Sequence, residues 1–199
     1  MEKPFSPASA RNKEPILEKF LELTTVEDRA VLEVGSGTGQ HGIYFSQKLP
    51  HIKWTFSDVE TNHPGIQMWM KEEGDGHNLK GPISYEVGKD EFPEGNYDIV
   101  FTANTLHIMS WKLVKTLIKA LGNKLEPGAR VLIYGPFNYH GNFTSKSNKD
   151  FDQMLSSRDP LSGIRSFEDV KKQMEQRGFR LLKDYEMPAN NHLLAFIKI

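Results

Sequence analysis

Val31-Leu32-Glu33-Val34-Gly35-Ser36-Gly37-Thr38-Gly39 is the stretch that decides the fold. An apolar run closes on a loop with glycine at every second position, and Gln40 onward reads as the start of a helix. Strand, tight turn and helix in that order open an alternating α/β sheet. Glycine is the residue for backbone that turns left-handed or comes close to a ligand. A dinucleotide loop needs G-x-G-x-x-G, with the second glycine against the pyrophosphate and the third against the strand. Here the third glycine position falls on Gln40, and Gly39 comes one residue too early.

Glu33 narrows the reading. A carboxylate beside the loop disfavours a pyrophosphate but suits a sulfonium and an α-ammonium. The loop therefore predicts S-adenosyl-L-methionine (SAM), held by Glu33, Gly35, Ser36, Gly37 and Gly39. A second marker follows at the right distance. Lys53-Trp54-Thr55-Phe56-Ser57 alternates as a strand does, and Asp58 closes it nineteen positions after Gly39. A carboxylate there accepts the ribose hydroxyls of an adenosine cofactor. Asp58, with Val59 beside it, joins the predicted cofactor site; its plain alternative is a turn residue ahead of Asn62-His63-Pro64.

From this unit the pattern extends in both directions. Ile16, Leu17, Phe20, Leu21 and Leu23 recur at helical spacing after Pro15. Further strands are predicted near Ile83–Val87, Tyr97–Thr102, Arg130–Tyr134, Arg180–Glu186 and His192–Ile199. Helices fall near Gln40–Lys48, Pro64–Glu73, Trp111–Lys124 and Phe167–Arg177. Alternating units of this kind build a parallel sheet with right-handed crossovers, and the closing hairpin supplies one antiparallel strand. The 199 residues suit one domain, 1–199, with residues 1–25 as an N-terminal cover helix and 137–165 as a lid-like insertion.

Composition excludes several classes. With 25 basic and 26 acidic residues the net charge is −1, which offers no footprint for nucleic acid. No cysteine is present, so disulfides, thiolate zinc sites and cysteine nucleophiles are out. No apolar run is long enough for a membrane span, and residues 1–13 lack the apolar core of a secretory signal. The expected compartment is the cytoplasm, with no membrane partner. The seven histidines do not fall at metal-ligand spacing, and no Gly-x-Ser-x-Gly elbow occurs, so neither a metal site nor a hydrolase triad is predicted.

The order of parts, with Asp98 opening the fourth strand and Pro127-Gly128 before the fifth, resembles the class I SAM-dependent methyltransferases. The resemblance implies a Rossmann-like α/β sandwich whose seven-stranded sheet is mostly parallel, with the last strand antiparallel. A narrower pattern is similar to the methyltransferase-like protein 26 family. It rests on Pro7-Ala8 with Arg11-Asn12-Lys13-Glu14-Pro15-Ile16-Leu17, on Ser36–His41, Tyr134-Gly135-Pro136-Phe137, Ser147-Asn148 with Phe151-Asp152, Gly163-Ile164-Arg165, and Met187–Asn191. The chain departs from that pattern at Tyr85-Glu86-Val87, where Leu-Asp-Val is expected, and at Ser162, where Trp is expected. By this resemblance Glu86 takes the place of the adenine contact.

In an open parallel sheet ligands bind beyond the carboxyl ends of the strands. That rule selects Asn104 and His107 after the fourth strand, then Phe137, Tyr139 and His140 after the fifth. Asn190 and Asn191 follow the sixth. Asn104 joins the cofactor set, with Arg11 and Asn12 as a cover. Phe137, Tyr139, Arg165, Asn190 and Asn191 are expected to meet the substrate, and His107, Tyr139 and His140 are the candidates for a base. His107 between Leu106 and Ile108 reads more simply as a packed core histidine, and Asn190-Asn191 as a turn. The function expected is in-line methyl transfer to a small molecule with little acid–base help. A SAM-binding scaffold or sensor without catalysis is the alternative, and an NAD-linked oxidoreductase is disfavoured by the glycine spacing.

Overall fold

The structure, a computed structural model, describes residues 2–74 and 77–199. Met1, first residue of the expected N-terminal cover, lies outside the described residues. A seven-stranded sheet has the order β3-β2-β1-β4-β5-β10-β9. It is built from β1 (Ala30–Val34), β2 (Lys53–Asp58), β3 (Leu79–Ser84), β4 (Ile99–Ala103), β5 (Arg130–Gly135), β9 (Phe179–Met187) and β10 (Asn191–Lys198). β10 runs antiparallel to both β5 and β9, and the remainder is the mostly parallel Rossmann-like sheet that the alternating pattern predicts. By internal contacts the chain forms two compact units, Met1–Thr102 and Ala103–Ile199.

In the first unit, α1 (Pro7–Leu23) begins two turns earlier than the apolar spacing after Pro15 suggests. Ser6 caps it by accepting from Ser9 N at 3.2 Å, and Pro7 takes the first helical position, where no N–H is needed. The helix buries Ile16, Leu17 and Phe20. Phe20 meets Phe45 of α2 (Gln40–Lys48), Trp54 of β2 and Phe101 of β4, with ring centroids 5.6–5.9 Å apart. Tilted and edge-on aromatic pairs of this kind add to the burial of their large apolar area. Asp98, ahead of β4, accepts from the amides of Arg29 and Ala30 at 2.7 and 2.9 Å and so sets the starts of β4 and β1 level.

β3 lies earlier than the expected Ile83–Val87. The cause is Asn78, whose amide donates to the carbonyls of Ser46, Leu49 and Ile52 at 2.9–3.1 Å while its own carbonyl accepts from Trp54 N. The chain is thereby held beside β2 before Leu79, and Tyr85-Glu86-Val87 falls into the loop beyond. α3 (His63–Glu73) precedes it.

In the second unit, α4 (Trp111–Lys124) starts on a Ser110 cap and buries Val114, Leu117, Ile118 and Leu121. The stretch 137–165, expected as a lid-like insertion, carries regular structure. It forms β6 (Phe137–Tyr139), β7 (Asn142–Phe143) and α5 (Lys146–Arg158), and with β8 (Arg165–Ser166) closes a small sheet in the order β7-β6-β8. Ser145 caps α5 by accepting from Asn148 N. α6 (Phe167–Glu175) is capped by Ser166 and carries Glu168 and Asp169 in its first turn, where the helix dipole favours them.

Glu33 lies inside the first unit, 2% exposed, accepting from Trp54 Nε1 at 3.0 Å. Burial pushes its carboxyl up to about 8, against the opposing bonds from Trp54 and Ser36 and with the Asp58 charge adding. The folded chain thus keeps a proton that the unfolded chain releases near 4.5. The resulting stability is full below that value and is lost as pH rises through about 8. Because His41 titrates in the opposite sense, the comparison is between variants. Stability of the native chain relative to Glu33→Gln, from urea midpoints, should fall between pH 4.5 and 8.5; a pH-independent difference would contradict it.

Candidate active site

The glycine loop joins β1 to α2 in the first unit. Gly35, Gly37 and Gly39 have φ of +72°, +58° and +87°, the left-handed region that calls for glycine. Gly35 N and Ser36 N both donate to Ser57 O, at 2.9 and 3.1 Å. Gly37 N donates to Asp58 Oδ2 at 2.6 Å, while Asp58 Oδ1 accepts from Val59 N at 2.7 Å and Asn62 Nδ2 at 3.0 Å. A carboxylate offers about four lone-pair sites, so these three bonds leave acceptor capacity for an outside hydroxyl. A Cβ built on Gly37 would meet nothing within 4 Å. The loop therefore presents open backbone beside a carboxylate, an arrangement that accommodates the ribose and the amino-acid part of SAM.

Gln40 ties this loop to the N-terminal segment. Its Oε1 accepts from Ser6 N at 2.5 Å and from Thr38 Oγ1 at 2.9 Å. Of the two expected cover residues, Asn12 is engaged: its Oδ1 accepts from His41 Nε2 at 2.7 Å, which places the proton on Nε2. Burial, helped by the Lys13 charge, pushes His41 down to about 4. Arg11 is exposed.

Two more residues of the expected cofactor set have partners within the fold. Glu33 is enclosed against Trp54 and α2, where a Cβ on Gly42 would come 2.6 Å from its Oε2. Closed in and protonated at neutral pH, it does not present the charge expected to face the cofactor's cationic groups. Glu86 belongs to the loop after β3 and pairs with Lys89 at 2.7 Å, while its amide donates to Asp90 Oδ2.

In the second unit, Asn104 takes φ +58°, a conformation asparagine tolerates better than most residues, and donates its amide to Tyr134 O at 2.8 Å. His107 follows, 6% exposed, with Phe151 of α5 edge-on at 5.2 Å. Burial first, and the Arg165 charge second, push His107 down to about 4, so the ring is neutral near pH 7. Neither ring nitrogen has a hydrogen-bond partner among the described residues. A Cβ on Gly135 would lie 3.7 Å from Nδ1 and 3.9 Å from Asn104 Oδ1, so the missing side chain keeps that space free.

The residues expected to meet the substrate divide. Phe137 is 1% exposed, a core side chain of the small sheet and not a pocket wall. The Arg165 guanidinium is committed to backbone: Nε donates to Leu106 O at 3.1 Å, and the terminal nitrogen donates to Leu161 O at 2.9 Å and to Met109 O. The Tyr139 hydroxyl bonds Asp184 Oδ2 and His192 Nδ1, both at 2.8 Å, and His192 Nδ1 lies 2.7 Å from Asp184 Oδ1. Burial, then Asp184, raise the phenol well above its ordinary value, so the hydroxyl keeps its proton at neutral pH while it links Asp184 and His192. Beside it is a recess of about 300 Å³ lined by Tyr139, Thr144, Asp184, Glu186 and His192. His140 is exposed, 3.5 Å from Glu168. Asn191 Nδ2 donates to Pro188 O, and the main-chain carbonyl of Asn190 accepts from Asn148 Nδ2, so the turn is tied to α5.

Phe151, Asp184 and His192 escaped the sequence reading. Phe151 sat in a stretch read as a lid, where nothing but helical spacing in Phe151-Asp152-Gln153-Met154-Leu155 could have turned it toward His107. Asp184 and His192 come together as diagonal neighbours of the β9–β10 hairpin, where His192 pairs with Glu186 and Leu194 with Asp184.

The fold has known counterparts. The O-methyltransferase family 2 protein of Planctomyces limnophilus, in complex with apigenin, superposes with a TM-score of 0.81 at 17% identity, over 96% of this chain and 60% of that one. Human N-acetylserotonin methyltransferase in complex with SAM gives 0.78 at 15% identity, over 96% and 52%. In sequence, the O-methyltransferase aoiF of Aspergillus oryzae is 26% identical over 137 residues, 65% of this chain and 32% of that protein. The chain thus spans about a third of that curated relative and little more than half of those structures, and shares their class I methyltransferase fold. The family described as "Protein of unknown function (DUF938)" matches residues 3–198, nearly the whole sequence, and this chain belongs to it.

Proposed function

We propose that this chain is a SAM-dependent methyltransferase that methylates a hydroxyl group on a small organic acceptor. The observation that carries the reading is His107: a neutral, buried imidazole with no hydrogen-bond partner, in the turn directly after β4. Its ring nitrogens are not among the enclosed, unpaired polar atoms of the described residues, so a nitrogen left without a protein partner opens on accessible space, beside Gly135. A lone pair open to an acceptor's proton fits that arrangement, and this reading is preferred to a packed core histidine. The likeness to O-methyltransferases, one of them holding the flavonoid apigenin, supports a hydroxyl acceptor. We extend the proposal to kinship with the methyltransferase-like protein 26 family, on the motifs quoted above.

In this mechanism Asp58 accepts the ribose hydroxyls, and the loop from Gly35 to Gly39 lets the cofactor's amino-acid part approach the backbone. SAM, when bound, supplies a methyl group already activated on a sulfonium. The chain's main task is to align the acceptor oxygen with that carbon. His107 would take the proton that the acceptor hydroxyl gives up on methylation. Phe151 meets the imidazole edge-on, with ring centroids 5.2 Å apart.

Two measurements test this. Asp58→Ala removes both the acceptor for ribose and the tether of Gly37. Hydrogen bonds to charged groups contribute about 1.5–3 kcal/mol, so affinity for S-adenosylhomocysteine should fall about 10- to 150-fold by calorimetric titration. Unchanged affinity would remove Asp58 from the site. His107→Gln should lower turnover on a hydroxylated acceptor about 10²–10⁴-fold, with cofactor affinity within a few-fold. A variant that instead melts far lower but turns over normally would return His107 to the core.

A further inference from the structure

The turn that carries His107 is held by its backbone, from one side, by one short segment. Arg165 Nε donates to Leu106 O at 3.1 Å. Gly163 N donates to His107 O at 2.9 Å. Ser162 Oγ donates to Ile108 O at 2.7 Å. The Arg165 terminal nitrogen donates to Met109 O. Four consecutive carbonyls, residues 106–109, thus receive donors from residues 162–165. The segment is itself anchored on α5, where Asp152 Oδ1 accepts from Ile164 N at 2.7 Å. A Cβ on Gly163 would come 3.1 Å from Asp152 Oδ1, so a larger residue there would crowd the carboxylate that anchors the segment. α5 also supplies Phe151, so one helix sets both the ring's neighbour and the segment that grips its backbone.

From this geometry we infer that Ser162–Arg165 is a positioning clamp for His107, with Arg165 as its principal positioning residue. The inference rests on the proposed role of His107 and deepens it. The planar guanidinium fork reaches three carbonyls, Leu106, Met109 and Leu161, which a flexible ammonium cannot bridge. Its charge also disfavours a second charge on the imidazole. The charged groups near this turn are Arg165 itself, Asp152 from α5, and Asp159, which acts with Asp152 on Arg165. The clamp therefore does two separable things: it fixes the ring in place and keeps it unprotonated.

Imidazole NMR on the full-length protein, in the native form, Arg165→Gln, Arg165→Lys and Ser162→Ala, separates them. In the native protein His107 should stay neutral until pH approaches about 4. In Arg165→Gln its midpoint should move upward, yet stay below an ordinary histidine because burial persists. In Arg165→Lys the midpoint should stay near the native one while kcat still falls about 10²-fold, since a displaced group costs that much. Ser162→Ala, a mild change that leaves folding intact, should speed hydrogen exchange of the Gly163 amide several-fold. A His107 titration unmoved in Arg165→Gln, with native Gly163 exchange in Ser162→Ala, would overturn the clamp. So would full kcat in Arg165→Lys. If His107→Gln keeps full turnover, the base reading fails while the titration and exchange results still report on the clamp.

Discussion

Everything proposed for the first unit depends on the end of β2, where Ser57 and Asp58 hold the glycine loop. Ser57 O receives two loop amides, its hydroxyl donates to Glu33 O at 2.7 Å, and its own amide donates to Ser36 Oγ at 3.2 Å. Asp58 then takes Gly37 N. Without these bonds three left-handed glycines would be among the most mobile residues in the chain, because glycine loses the most conformational freedom on ordering. With them, the loop is held rigid and its open face is preserved. A site held in advance spends less of its binding energy on ordering itself.

What was legible in the sequence follows from what is local. Gly35, Gly37, Gly39 and Asp58 could be placed because loop conformation and strand ends depend on neighbours a few residues away. The helices over Gln40–Lys48 and Trp111–Lys124 were equally readable, since apolar spacing and the Ser110 cap are written in adjacent residues. β3 was displaced because its start is set by Asn78 reaching three carbonyls, all of them more than 25 residues away. Glu33 was assigned to the cofactor for its charge and Arg165 to the substrate, yet each makes its bonds within the fold. Sequence shows that a charge is present; it does not show whether a Trp indole or a row of carbonyls reaches it first.

The two neutral histidines make the same point about burial. His41 and His107 are both held near 4 mainly by desolvation, but His41 has Asn12 as its partner and His107 has none. Equal burial thus goes with a structural link in one case and with a ring lacking a protein hydrogen bond in the other. The decisive quantity is the bond inventory around the ring, which no spacing in the sequence encodes. Tyr139 shows the converse: its position after β5 suggested chemistry, and its bonds to Asp184 and His192 absorb it.

The grip on residues 106–109 acts on carbonyl oxygens, which every amino acid possesses. Ile108 is 53% exposed, and neither its side chain nor that of Met109 takes part in these bonds. Substitution there leaves the histidine's backbone where it is. The geometry of this turn is therefore insulated from the side chains that residues 108 and 109 carry.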